Sequence, residues 1–259
     1  MVTAIASQKG GVGKSTTAVT LGHGLAMRGK KVLIVDLDPQ GHVCKLLNLP
    51  KNGGVRQWYY DEKPLQEAVC MARENLFVLG ADKTLNRVAG KIKEDAYGAE
   101  AFAYALKQQT QGYDAVLLDL APSLNDIQVA ALLASDYVIC PTRLRYVDMD
   151  GVQEIMRSVA EVARHGHQVR GLYILPTFYD RKTTETGERL VELAQTYGKR
   201  VLPPIVQDTR ISEAPGHGQT IWEYAPECNA LRGYVNGGGK RVGGYAVVLD
   251  QLLQLVEAG

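Results

Sequence analysis

Short apolar runs recur along the chain at residues 2–6, 32–35, 76–79, 115–118, 137–140 and 172–175. Bounded runs of this length read as strands. They are continuous rather than alternating, so both faces of each strand are expected to be covered. Helical patterns separate them at 15–27, 100–109, 126–133, 152–164, 184–197 and 245–256. The alternation predicts an α/β fold, a doubly wound and mainly parallel sheet with helices on both faces. Two stretches break the pattern. Residues 50–64 hold Asn52-Gly53-Gly54 and then Trp58-Tyr59-Tyr60, aromatics expected to form satellite packing on the core. Residues 236–244 are glycine-rich and are expected to form a flexible loop before the last helix. No repeat or linker tract divides the chain, so its 259 residues are expected to form one domain, 1–259.

The most informative segment lies between the first strand and the first helix. It reads Lys9-Gly10-Gly11-Val12-Gly13-Lys14-Ser15-Thr16. Glycines let the backbone curl so that successive N–H groups point at phosphate oxygens, and the helix N-terminus adds a favourable dipole. In such a loop Lys14 reaches the β- and γ-phosphates and the Ser15 hydroxyl ligates magnesium. The usual pattern opens with a glycine where this chain has Gln8. Lys9, at the mouth of the loop, is expected to point away from the phosphates its own chain holds and toward those of a second chain. The plainer reading of Lys9 is a solvated surface lysine.

A magnesium–nucleotide site also needs carboxylates. Asp36 and Asp38 end the second strand and alternate, so both are expected on one side, next to the loop. Asp38 is the candidate for orienting the attacking water and Asp36 for supporting the metal. Asp119 closes the apolar run at 115–118, the pattern of an acid that binds magnesium directly or through water.

Composition narrows the alternatives. A formal net charge of +1 gives no global attraction to nucleic acid or anionic lipid, so any DNA contact must be local. Cys44, Cys70, Cys140 and Cys228 are widely spaced, which disfavours a zinc or iron–sulfur site within one chain and suits small buried hydrophobes. No apolar run approaches the roughly 20 residues of a membrane span, and residues 1–6 do not read as a signal peptide, so a cytoplasmic protein is expected.

Taken together, these residues resemble the ParA/MinD family of deviant Walker-A ATPases, on its ParA branch. The loop from Lys9 to Thr16 and the segment Asp36-Leu37-Asp38-Pro39-Gln40 carry the resemblance first. It continues through Leu118-Asp119-Leu120-Ala121-Pro122-Ser123-Leu124, where relatives usually have Pro-Pro in place of Ala121-Pro122. It continues again through residues 177–183 (Thr-Phe-Tyr-Asp-Arg-Lys-Thr) and 210–215 (Arg-Ile-Ser-Glu-Ala-Pro). What the family implies is a P-loop NTPase fold and a homodimer that sandwiches ATP and Mg2+. Lys9 would contact ATP across the interface. The loop residues Gly10, Gly11, Val12, Gly13, Lys14, Ser15 and Thr16 would hold the nucleotide. Asp38 would position water, and Ser15, Asp36 and Asp119 would serve the metal.

The resemblance further implies a slow ATP hydrolase that binds DNA non-specifically when ATP-bound and so associates with the nucleoid. A ParB-like or cargo-adaptor partner would stimulate it, and the cycle would position a plasmid, chromosome or protein cargo. Relatives place basic residues at the positions of Arg181, Lys182 and Arg210, with Lys199, Arg200, Arg232, Lys240 and Arg241 as further candidates. For each of these a solvated surface role competes with DNA contact. The first strand begins at Val2, so an N-terminal helix-turn-helix domain is not expected. Tyr224-Ala225-Pro226 lacks the aspartate of the family's corresponding motif, and residues 229–240 read as an insertion. One alternative is a MinD-like membrane-positioning ATPase, which needs a basic amphipathic C-terminal helix; residues 245–257 contain no Lys or Arg. The other alternative is a P-loop metabolic enzyme.

Overall fold

In the computed structural model, which describes every residue except Leu124, His165 and Gly259, the apolar runs assemble into one seven-stranded sheet. The strands are β1 (Val2–Ile5), β2 (Val32–Leu37), β3 (Cys70–Arg73), β4 (Leu76–Leu79), β5 (Ala115–Leu120), β6 (Tyr137–Arg143) and β7 (Gly171–Thr177). Their order is β3-β4-β2-β5-β1-β6-β7, parallel throughout except for β3, which pairs antiparallel with β4 at the edge. Leu124, the last residue of the motif 118–124, lies outside the described residues.

The sheet is covered on both faces, and the side-chain alternation within each strand shows it. Leu33, Val35 and Leu37 enter one core with Val116, Leu118 and Leu120. Val32 and Ile34 enter the other with Ala115 and Leu117. The first core is closed by Val88, Phe102, Ile127 and Ile155, from helices Leu85–Glu94, Gly98–Gln109, Asp126–Ala134 and Asp150–Arg164. The second is closed by Ala18, Leu21 and Leu25 of helix Lys14–Met27 and by Val248, Leu249 and Leu252 of helix Tyr245–Ala258. Burial on both faces is why the runs lack the polar alternation of a half-exposed strand. The last helix thus buries Tyr245, Val248, Leu249 and Leu252 in the core, and ion pairs Arg28–Asp250 and Lys30–Glu257 join it to the end of the first helix and the turn after it. Among the described residues, no helix is long and apolar enough to cross a membrane.

Two irregular stretches prove more ordered than expected, the aromatics of the first packing on the core as expected, and one helix was not anticipated. The stretch 50–64 contains helix Gly54–Tyr59, and Trp58 and Tyr59 pack edge-on against Phe102, with ring centroids 5.5 and 4.8 Å away. The glycine-rich stretch 236–244 is not a free loop. It completes a hairpin of β8 (Tyr234–Val235) and β9 (Arg241–Val242), followed by the turn into the last helix. Asn236 fixes the hairpin tip: its Oδ1 accepts from the N–H groups of Gly238 and Lys240, and its own N–H donates to the Lys240 carbonyl. The helix not anticipated is Leu85–Glu94, although Leu85, Val88 and Ile92 are buried at helical spacing.

Candidate active site

The loop at residues 9–13 leaves the C-terminal end of β1 and enters helix Lys14–Met27 through Gly13, whose φ of 94° requires glycine. Gly11 has φ of 66°, and a Cβ on Gly10 or Gly11 would meet nothing within 4 Å. The backbone is thus bare on the side facing a cavity of about 890 Å3. Gly10, Gly11, Gly13, Lys14, Ser15 and Thr16 line that cavity from below, with Asp38 at its flank. Val12 faces inward and is buried. Its carbonyl accepts a hydrogen bond from the Thr177 hydroxyl at 3.0 Å, which ties the loop to the end of β7.

Lys14 is buried and its ammonium donates to the Lys9 carbonyl at 3.1 Å. Burial lowers its pKa, while Asp119 and Asp38 pull it back up. The Lys9 side chain does not line the cavity. It lies beside helix Asp150–Arg164, where a Cβ on Gly151 would come 3.0 Å from Lys9 Cγ.

The carboxylates divide into two kinds. Asp36 and Asp119 are directly paired across β2 and β5, and both are fully buried. Asp36 is turned inward: its oxygens accept from the N–H of Asp38 at 3.0 Å and of Val43 at 3.1 Å. The side chain expected to support a metal instead clamps the turn between β2 and helix His42–Leu46. Burial and the neighbouring Asp119 push its pKa well above the usual carboxylate range. By distance and angle no hydrogen bond is made to either oxygen of Asp119, and the only hydroxyl close enough to act on it is that of Ser15. Burial pushes its pKa up to about 7, against the pull of the Ser15 hydroxyl and the Lys14 ammonium beside it. Two bare, buried oxygens next to a hydroxyl suit a hard divalent cation such as magnesium, which takes oxygen ligands. The residues present therefore fit the metal through Ser15 and Asp119. Asp38 is nearly buried at the cavity, and its Oδ1 accepts from the Gln40 N–H at 2.9 Å.

The far wall of the cavity was not foreseen from the sequence. It comprises Phe178 and the segment Ile205, Val206, Gln207, Asp208 and Thr209. This segment is stitched to the end of β7 by the Ile205 N–H to the Pro176 carbonyl and the Tyr179 N–H to the Ile205 carbonyl.

Comparison with known proteins decides the family. The family model for the AAA domain matches residues 1–170. The chromosome-partitioning ATPase Soj of Thermus thermophilus is 36% identical over 233 residues, covering 89% of this chain and 91% of the relative. The chain belongs to the ParA/MinD family of ATPases. Among solved structures, apo McdA from Cyanthece superposes with a TM-score of 0.78 at 22% identity, covering 86% of this chain and 92% of that one. The cobyrinic acid a,c-diamide synthase of Mycobacterium smegmatis, solved with an ATP analog and magnesium, superposes with a TM-score of 0.72 at 30% identity. That match covers 80% of this chain and 87% of the other.

The basic residues proposed for DNA contact are not equivalent within this ParA-type chain. Arg181 and Lys182 are exposed just beyond β7, and the Arg181 guanidinium lies 4.6 Å from the Tyr234 ring centroid on the hairpin. Arg210 is engaged elsewhere. Its Nε and a terminal nitrogen each donate to Asp208 at 2.7 Å, in a two-pronged ion pair at the cavity wall. Burial tends to raise the Asp208 pKa, but these hydrogen bonds outweigh it and hold the carboxyl below its ordinary range. A basic residue seen alone in sequence carries no sign of a partner two positions away.

Proposed function

We propose that this ParA-type chain is a magnesium-dependent ATPase whose ATP-bound form is a sandwich homodimer that binds DNA without sequence preference. A ParB-like or adaptor protein would stimulate its slow hydrolysis, and the cycle would position a DNA or protein cargo. The observation that carries the ATP reading is the Asp119 carboxylate, buried with both oxygens unpartnered beside the Lys14–Ser15 end of a bare glycine loop.

In the reaction, water attacks the γ-phosphorus and the bond to the ADP oxygen breaks. The loop N–H groups and the helix N-terminus receive the phosphates, and Lys14 exchanges the Lys9 carbonyl for phosphate oxygens. Asp38 orients the attacking water from the flank of the cavity. Ser15 and Asp119 would hold a magnesium ion, which would supply neutralising charge for the phosphates. Lys9, outside the cavity of its own chain, is free to serve the nucleotide of a second copy.

The DNA reading is tested by a mobility-shift assay on non-specific duplex with ATP, with ADP and without nucleotide. A shift only with ATP, weakening steeply with salt as phosphate contacts release counterions, is the expected result. The Arg181→Ala/Lys182→Ala pair should abolish it. No shift with ATP at low salt would overturn the DNA-binding part of the proposal.

A further inference from the structure

The end of β7 reaches the phosphate loop by two successive residues. Thr177 donates its hydroxyl to the Val12 carbonyl, and Phe178 follows with its ring on the cavity wall. Phe178 has φ of 55°, a left-handed backbone that bulky residues avoid. Such strain persists only where the surroundings over-determine it, and it gathers at ligand clamps.

Two neighbours flank the ring. On the loop side, Phe178 Cε2 would lie 3.9 Å from a Cβ on Gly13. On the other side, the Arg143 guanidinium lies 4.1 Å from the ring centroid. Arg143 ends β6 and pairs with Thr177 of β7, so the sheet register itself brings it to the ring. Its Nε is buried with no hydrogen-bond partner. Among the described residues, no carboxylate forms an ion pair with Arg143. A guanidinium without a counter-ion leaves the face of the partly exposed Phe178 ring as its main attraction.

We propose that Arg143 is a positioning residue for the nucleotide: its guanidinium clamps Phe178 in the left-handed conformation that builds the cavity wall against Gly13. The proposal rests on the reading that this cavity holds ATP. Arg143 acts through the ring, not on the phosphates. Its removal frees Phe178 to relax, and the wall beside the loop loses its shape before nucleotide arrives. Lysine offers a cation without the planar stacking surface of arginine, so it replaces arginine only in part.

The test is a fluorescence titration of a methylanthraniloyl-ATP analogue with Mg2+ into wild type, Arg143→Lys, Arg143→Met, Phe178→Leu and the Arg143→Met/Phe178→Leu double variant. Steady-state turnover and a thermal melt without nucleotide accompany it. Arg143→Met and Phe178→Leu should each weaken binding about three- to tenfold, a range set by cation–π strength. Arg143→Lys should fall between wild type and Arg143→Met. The double variant should bind no worse than the weaker single variant, because both remove the same contact. The loss should fall on KM more than on kcat, with melting close to wild type. Equal affinity in wild type and Arg143→Met, or fully additive losses, would overturn the pairing alone. A wild-type chain that binds no ATP would overturn the ATP reading as well.

Discussion

The ends of β2 and β5 carry paired aspartates, buried to the same degree, that differ in their hydrogen bonding. At β2, Asp36 is satisfied by the N–H groups of Asp38 and Val43. At β5, one strand nearer the phosphate loop, both oxygens of Asp119 are bare. The polypeptide supplies donors to the first because the chain turns straight into helix His42–Leu46, whose early N–H groups lack intrahelical partners. To the second it offers only the nearby Ser15 hydroxyl and Lys14 ammonium, neither of them in hydrogen-bond geometry. A buried carboxylate with no internal partner is costly unless something else arrives to pair it. The difference separates an acid held by the backbone from one left open to a ligand, although both look alike in the sequence.

Exchanging the two roles should produce effects of different kinds. Asp119→Asn removes the charge proposed to receive the metal, and ATP turnover should fall about 10²–10³-fold, the usual loss when a positioned electrostatic group is deleted. Without ligand the same variant should melt close to wild type, because relief of the buried carboxylate is offset by loss of the charge beside the buried Lys14 ammonium. A turnover assay paired with a melt checks both, and unchanged turnover would place the metal elsewhere. Asp36→Ala should do the reverse: leaving the two N–H groups unpaired should cost about 1–3 kcal/mol of stability, read as a lower denaturant midpoint. A wild-type midpoint would mean that the clamp contributes nothing.

The raised pKa of Asp119, near 7, gives the comparison a pH axis. The folded protein favours its protonated form and the unfolded chain does not, so this contribution to stability is complete below about pH 4, the ordinary carboxylate range. It is lost as pH rises through 7. The ligand-free protein should therefore melt progressively lower across that window, by roughly 2–4 °C for each kcal/mol lost. Asp119→Asn should make that part of the profile shallower, leaving the contribution of Asp36, whose pKa burial also raises. The smallest effect concerns Arg210→Ala. Its guanidinium is partly exposed, so losing the pair with Asp208 should cost under about 1 kcal/mol. The Asp208 pKa should rise toward its usual value, measurable by NMR titration.

Much of this was legible in the chain. Continuous apolar runs gave the central strands because burial on both faces erases polar alternation, and Asp119 stood out as the acid ending one run. The loop was readable because its glycines, Lys14 and Ser15 sit between a strand and a helix. What the sequence concealed depends on contacts across the fold. Alternation placed Asp36 beside Asp38 but carried no sign of the Val43 N–H that captures it. Strand β3 was missed because Cys70–Arg73 is an edge, half exposed and without an apolar run. The hairpin at 234–242 depends on the bonds of one asparagine, and the cavity's far wall on how β7 meets the segment around Ile205.

The most direct measurement is calorimetric titration of ATP, with and without Mg2+, into wild type and Asp119→Asn. The account predicts one ATP per chain in wild type, with affinity that rises at least severalfold when Mg2+ is present. In Asp119→Asn the two titrations should coincide. If Mg2+ strengthens ATP binding equally in both proteins, the bare carboxylate at the end of β5 is not where the metal is held, and the account of this site is wrong.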